Sequence, residues 1–235
     1  MSKNKLAKFA EMKNFCNVIQ PQDDEYRYKT FEYKGKWASD FFKNNNPIVL
    51  EIGCGRGEYT VALAEINPNI NYIGVDIKGA RIYSGAKIAI EKNLHNVAFL
   101  RTRIDLLNNY FNQNEVQQLW ITFPDPQPKK QNKRLTSAFF LNIYRKFVID
   151  GGIINLKTDS RLMHFYTLQL LKENGLIPII YTDNLYEDNC LDSILCIKTY
   201  YERMFLEQNK KITYLKFLLE KDKPLKEINK FSLNE

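Results

Sequence analysis

One acid and four cations fall within ten residues of this chain. The run Phe123-Pro-Asp-Pro-Gln-Pro-Lys-Lys130, followed by Lys133 and Arg134, sets Asp125 among three prolines and just upstream of Lys129, Lys130, Lys133 and Arg134. Proline fixes φ near −65° and restricts the residue before it, so the Asp125 carboxylate is held at small entropic cost. A fixed carboxylate beside a dense positive patch suits an enzyme that reaches into a polyanion and handles one cationic or proton-rich group there. A surface turn with solvated charges would carry the same letters, so the weight of the reading rests on what precedes it.

Upstream, Glu51-Ile-Gly53-Cys-Gly55-Arg-Gly57 stands where a first strand should meet a first helix. Gly53 and Gly55 permit a tight turn and let a ligand approach backbone N–H groups at a helix N-terminus. Asp76, about twenty residues on at the end of a second strand, is placed to accept hydrogen bonds from ribose hydroxyls. The pair of features fits a nicotinamide or flavin dinucleotide or S-adenosylmethionine. Glu51 decides between them: a carboxylate at the mouth of the turn would repel a pyrophosphate but suits a ligand bearing an ammonium and a sulfonium. The Gly-x-Gly-x-Gly spacing also departs from the dinucleotide fingerprint, whose third glycine comes later. Asp76 could equally be a strand-end cap, Arg56 a solvated loop charge and Cys54 a small filler.

The elements that must carry these residues alternate as in an α/β sheet with crossovers. Strands are expected at 48–52, 71–76, 97–100, 118–123, 153–157, 176–182 and 212–219. Helices are expected at 59–66, 80–93, 136–147 with Thr136 as N-cap, 160–173 capped by Asp159 or Ser160, and 199–208, with a loop at 185–193. Gly151-Gly152 should precede the fifth strand. Residues 1–44 form a basic amphipathic extension expected to be partly flexible, 45–221 a methyltransferase-like domain, and 222–235 a frayed tail. The 235 residues, 44% hydrophobic, suffice for one large core. No apolar run is long enough to span a bilayer, and the N-terminus lacks the apolar stretch of a secretory signal, so a cytoplasmic enzyme with no membrane partner is expected. Cys16, Cys54, Cys190 and Cys196 form no Cys-x-x-Cys pair and only two histidines are present, so free thiols and no metal are expected. A formal charge of +7 fits a nucleic-acid partner. Monomer and homodimer both remain open.

With the Glu51–Gly57 turn, Asp76, Phe123-Pro-Asp-Pro, the basic run and Thr158-Asp159 in this order, the chain resembles the bacterial tRNA (guanine-N7-)-methyltransferases over roughly residues 49–219. The Pro-Asp-Pro-x-Pro-Lys-Lys segment is the specific part. Thr199-Tyr-Tyr-Glu202 is similar to the family's Thr-x-x-Glu element that reaches the substrate guanosine. The resemblance implies a Rossmann-like class I fold, a mostly parallel sheet with an antiparallel last strand. It implies S-adenosylmethionine contacts for Glu51 and Asp76, with Gly53 and Gly55 in the cofactor turn. Asp125 would be the active-site acid, also bordering the cofactor, and Lys129, Asp159, Thr199 and Glu202 would contact tRNA. Gln127 stands where the family usually has tryptophan, and Asn209 where glycine is usual. The acid that borders adenine in the family aligns with Arg103, with Asp105 two residues on.

Guanine N7 carries an in-plane lone pair and no proton, so its methylation needs no base to free the nucleophile. A carboxylate at Asp125 can instead accept from guanine N1–H and the exocyclic amine and stabilise the charge that moves onto the purine. Lys129, Lys130, Lys133 and Arg134, with Arg101 and Arg103, could neutralise tRNA phosphates. Thr199 and Glu202 also form a helix capping box, Tyr200, Tyr201 and Phe205 have core spacing, and His164 has a structural place in its helix. Two rivals remain. An exocyclic-amine methyltransferase would share the proline turn, but lacks here its side-chain amide and trailing aromatic. A non-catalytic RNA-binding module would not need Glu51, Asp76 and Asp125 together.

Overall fold

Ile48, Leu50 and Ile52 turn to one side of their strand and Val49 to the other, and both sides meet apolar cover. A strand apolar on both faces needs a layer of cover on each, and the rest of the chain supplies two. The computed structural model describes residues 3–21, 29–188, 192–229 and 231. In chain order the elements are α1 (Lys3–Met12), β1 (Val18–Ile19), β2 (Ile48–Ile52), α2 (Glu58–Ile66), β3 (Asn71–Val75), α3 (Gly79–Glu91) and β4 (Val97–Leu100). There follow β5 (Val116–Thr122), α4 (Ala138–Tyr144), β6 (Val148–Thr158), α5 (Arg161–Glu173), β7 (Pro178–Thr182), α6 (Tyr200–Glu207) and β8 (Thr213–Leu219). The eight strands form one sheet in the order β1-β4-β3-β2-β5-β6-β8-β7. Pairings from β1 to β6 are parallel, and β8 runs antiparallel to both β6 and β7.

Helices α2 and α3 pack against one face, α4 and α5 against the other. Chain direction across the sheet reverses between β2 and β5, and the crevice beyond their carboxyl ends is where open α/β sheets bind ligands. Both chemistry-bearing segments, the glycine turn after β2 and the proline turn after β5, leave the sheet at that crevice.

Several boundaries differ from expectation. Ser137, not Thr136, caps α4 by accepting from Phe140 N; Thr136 is buried and its hydroxyl meets Thr167 Oγ1 at 2.7 Å. Of the two candidate caps of α5, Ser160 is the one used, as expected, and the helix runs to Glu173. Gly151 and Gly152 lie inside β6, which begins at Val148, beside an irregularity in its pairing with β5 between Val116 and Gln118. The lead-in contributes to the core: Phe31, Trp37 and Phe42 are buried, and Trp37 Nε1 donates to Tyr110 O at 2.9 Å. Helix α1 lies along α3, where Glu11 accepts from Tyr83 Oη at 2.7 Å. Of the tail expected to fray, the described residues 222–229 dock, with Leu225 and Ile228 buried, and residues 232–235 lie outside the described residues. Leu225 and Ile228 are three apart among charges and a single proline, too sparse to register as an element.

Candidate active site

All three glycines of the turn after β2 have positive φ: Gly53 +76°, Gly55 +55° and Gly57 +70°. A Cβ on Gly57 would sit 2.4 Å from the Phe99 ring, so only glycine lets α2 close onto β4 there. The N–H groups of Gly53 and Cys54 donate to Val75 O, and Gly55 N donates to Asp76 Oδ2 at 3.0 Å. Asp76 Oδ1 accepts from Lys78 N at 2.7 Å. Asp76 therefore ties the turn to the end of β3, as a cap would, and also lines the cavity in front of it.

Glu51 is buried on β2, and its carboxylate joins three elements. Oε2 accepts from Thr60 N at 2.8 Å and from the Thr60 hydroxyl on α2, and Oε1 accepts from Thr122 Oγ1 on β5 at 2.6 Å. It thus serves as the N-terminal cap that Gly57 cannot supply to α2. Burial pushes its pKa up from 4.5 to about 7 against the three hydrogen bonds, with the nearby Asp76 charge adding a little. Cys54 beside it is buried, and burial raises its thiol pKa further, so it has no thiolate character to act as a nucleophile.

Three adjoining cavities open at the crevice. One of about 360 Å³ lies between Gly53, Asp76, Thr102, Arg103, Asp105 and the Asp125 turn. A second of about 620 Å³ is lined by Asp125, Asp159, Ser160, Tyr201, Phe205 and Lys210. A small one of about 70 Å³ lies deeper, among Glu51, Gly55, Thr122 and Thr199. Asp125 belongs to the walls of the first two, and Phe123 and Arg81 to all three. The donor and acceptor set fits an adenosyl ligand: Asp76 offers carboxylate oxygens, and among the described residues Thr102 Oγ1 is buried without a hydrogen-bond partner and no side chain fills the space over Gly55. Arg103 and Asp105 both line this cavity and pair with each other at 2.6 Å.

The acid-bearing turn is more constrained than its prolines alone require. Phe123 and Gln127, on either side of Pro124-Asp125-Pro126, both have φ near the left-handed region, +47° and +46°. Such conformations cost about 1–3 kcal/mol each and persist only where surroundings enforce them. Phe123 N donates to Lys157 O at 2.8 Å, and Gln127 N donates to Asp125 Oδ1 at 3.0 Å, which orients the exposed carboxylate. Gln127, at the family's tryptophan position, contributes this backbone donor.

The expected cations divide. Lys129, Lys130 and Lys133 are exposed. Arg134, expected at a phosphate, is instead buried beneath the turn, with Nε donating to Pro126 O at 3.1 Å and its guanidinium 4.4 Å from the Tyr166 ring. Arg101 stacks on Phe9 and so joins α1 to the sheet edge. Asp159 is paired with Lys210 at 3.1 Å and both line the larger cavity. Thr199 caps α6, its Oγ1 accepting from Glu202 N at 3.2 Å.

The reciprocal half of the capping box does not form, because Glu202 is wholly buried and turned to Lys157 Nζ at 2.8 Å, with Tyr186 Oη donating at 2.6 Å. Glu202 lines none of the three cavities. Tyr200 and Tyr201, given core spacing, are 41% and 38% exposed, and Tyr201 faces the cavities.

Four residues at this site escape sequence reasoning: Thr102, Arg81, Lys157 and the buried role of Arg134. Lys157 Nζ uses all three donors, on Glu202, Leu195 O at 2.8 Å and Ile197 O at 2.9 Å. A lone lysine at the end of an apolar strand was the available signal. Burial lowers its pKa, and the Glu202 charge opposes that.

A family model described as "Putative methyltransferase" matches residues 45–215. A tRNA (guanine-N(7)-)-methyltransferase of Bacteroides fragilis is 49% identical over 227 residues, 97% of this chain and 90% of that protein. One of Christiangramia forsetii is 51% identical, over 92% of this chain and 98% of that protein. Among solved structures, the 16S rRNA methyltransferase KamB superposes with a TM-score of 0.58 at 14% identity, covering 75% of this chain and 89% of that one, a likeness of fold.

Two outcomes follow for stability. Lys157→Met leaves Glu202 buried without its cation and should cost about 3–5 kcal/mol in urea unfolding, whereas Lys157→Met with Glu202→Leu should recover most of that loss. Because the folded-state pKa of Glu51 is raised, its contribution is present below pH 4.5 and is lost as pH rises to about 7. Glu51→Gln should therefore gain about 3 kcal/mol relative to wild type between those limits, read from denaturation midpoints across pH.

Proposed function

The chain belongs to the tRNA (guanine-N(7)-)-methyltransferase family, and we infer that its three adjoining cavities bring S-adenosylmethionine and a tRNA guanosine together at Asp125. The enzyme transfers a methyl group to N7 of guanine in tRNA. In this reading the guanosine lies in the variable loop and the reaction takes place in the cytoplasm. Among the described residues no helix is long and apolar enough to cross a membrane.

The observation that carries the reading is that Asp125 lines both larger cavities. The 360 Å³ cavity would hold the adenosine part, with Asp76 on the ribose and Thr102, Arg103 and Asp105 around the base. Glu51, Gly53 and Gly55 would meet the cationic methionine end in the deeper cavity. When bound, S-adenosylmethionine supplies an electrophilic methyl group on a sulfonium, which the N7 lone pair attacks in line. The larger cavity takes the guanosine. There the Asp125 carboxylate accepts from guanine N1–H and the exocyclic amine, which orients N7 and offsets the positive charge developing on the purine. Asp159 borders the same space, Thr199 lines the deeper cavity beside it, and Arg81 is placed for an anionic group of either ligand. Lys129, Lys130 and Lys133 would neutralise phosphates. For Glu202 the support is indirect: its pairing with Lys157 shapes the wall that carries Thr199 and Tyr201.

Asp125→Ala should lower kcat by about 10²–10³-fold, the loss typical of a removed transition-state charge partner, with cofactor affinity mostly intact. Labelled methyl transfer into unmodified tRNA, followed by mass spectrometry of the nucleosides, checks both turnover and product. Near-wild-type turnover would refute the role. A cationic ligand favours ionised Glu51, so cofactor affinity should strengthen as pH rises through about 7, and Glu51→Gln should flatten that part of the profile in calorimetric titrations.

A further inference from the structure

The chain beyond β8 is held to the protein by three side-chain amides, each bonded to backbone groups of the tail. Asn142 Nδ2 donates to Leu225 O at 2.8 Å while its Oδ1 accepts from Leu225 N at 2.9 Å. Asn174 does the same with Lys226, at 2.9 and 2.7 Å. Gln131 Nε2 donates to Ile228 O at 2.8 Å, and its Oε1 accepts from Phe231 N at 2.9 Å. Paired brackets of this kind fix a backbone in place and register. Gln131 belongs to the basic segment that follows Asp125.

Glu227 sits at the centre of this docked stretch. Its Oε1 accepts from Tyr166 Oη at 2.7 Å and its Oε2 from Ala138 N, the first N–H of α4, at 3.2 Å. The Tyr166 ring carries the Arg134 guanidinium on its face, and Arg134 Nε holds Pro126 O, the carbonyl next after Asp125. Arg134 is fully buried and, among the described residues, its Nη1 and Nη2 have no hydrogen-bond partner. An uncompensated buried cation is costly. Here the compensation comes from the aromatic face and from the Glu227 carboxylate behind it.

We propose that residues 225–229 of the C-terminal stretch are a strap that positions Asp125, acting from Glu227 through Tyr166 and Arg134 on the Pro126 carbonyl. Glu227, Tyr166 and Arg134 are positioning residues. The turn they hold has left-handed non-glycine residues at Phe123 and Gln127, so it relaxes if its support is removed. The Asp125 carboxylate then loses its alignment while the opposite wall of the cofactor cavity, Gly53, Asp76 and Thr102 beyond the ends of β2, β3 and β4, keeps its shape. The proposal rests on the role assigned to Asp125 above.

The test uses full-length enzyme, S-adenosylmethionine and unmodified tRNA, with Glu227→Ala, Tyr166→Phe, the double variant, Glu227→Gln and Asp125→Ala assayed side by side. Glu227→Ala should lower kcat about tenfold, in line with the sensitivity of oriented reactions to small displacements, while cofactor Kd and KM for tRNA stay within about twofold. Tyr166→Phe, which keeps the ring and loses only the O–H, should lower kcat less. Since both act through one chain of contacts, the double variant should be no worse than Glu227→Ala alone. Glu227→Gln, which still accepts from Tyr166 but loses the charge that offsets Arg134, should lower kcat less than Glu227→Ala does. Unchanged kcat in folded Glu227→Ala, losses in kcat and both binding constants together, or additive effects in the double variant would each overturn the strap. If Glu227→Ala does not fold, wild-type kcat in Tyr166→Phe has the same force. Full turnover in Asp125→Ala would instead remove the premise, and is distinguished from failure of the strap because there Asp125→Ala stays inactive.

Discussion

A single desolvated ammonium, that of Lys157, supports both walls of the reaction space. Its three protons are spent on Glu202 and on two carbonyls of the segment leading into α6, so Thr199 and Tyr201 stand where they do because of it. The carbonyl of the same residue accepts from Phe123 N and starts the turn that presents Asp125. A charge taken out of water is costly, and here three satisfied donors and a contacting opposite charge offset that cost. Those conditions leave the α6 wall and the acid-bearing turn little freedom to move relative to β6.

The carboxylates around the crevice are differentiated by their surroundings. Glu51 is buried and hydrogen-bonded within the protein, with its pKa raised to about 7, so its charge is expensive until a cation arrives. Asp76 is spent partly on backbone N–H groups and partly on the cavity. Asp125 is exposed and pinned by one backbone donor, which leaves its charge available to a base entering from solvent. The carboxyl end of the sheet thus carries three carboxylates in three environments, which in the proposed reading serve a cationic cofactor end, ribose hydroxyls and a purine edge.

The basic run after the proline turn shows how like letters take unlike places. Lys129, Lys130 and Lys133 point to solvent, where an ammonium on a long stem can meet phosphates. Arg134 goes inward because a planar guanidinium can lie on the Tyr166 ring and still donate to a carbonyl, which a lysine could not do in that geometry. Charge counting along the chain assigns all four to the solvent.

Local pattern alone determined most of the scaffold. The apolar run 48–52, the three glycines of the turn, the acid at the end of the second strand and the proline-flanked Asp125 are all short-range signals, set by backbone sterics and side-chain type, and they recur in the folded chain at the crevice. What tertiary structure alone decided are the pairings between residues far apart in sequence. Glu51 with Thr122, Lys157 with Glu202, Trp37 with Tyr110 and Glu227 with Tyr166 each need the sheet and its two layers in place before the partners meet. No window of the sequence contains both members, so the inward turn of Glu202 and Arg134, the docking of the tail and the ordering of the lead-in around Trp37 follow from burial, which is a property of the whole fold.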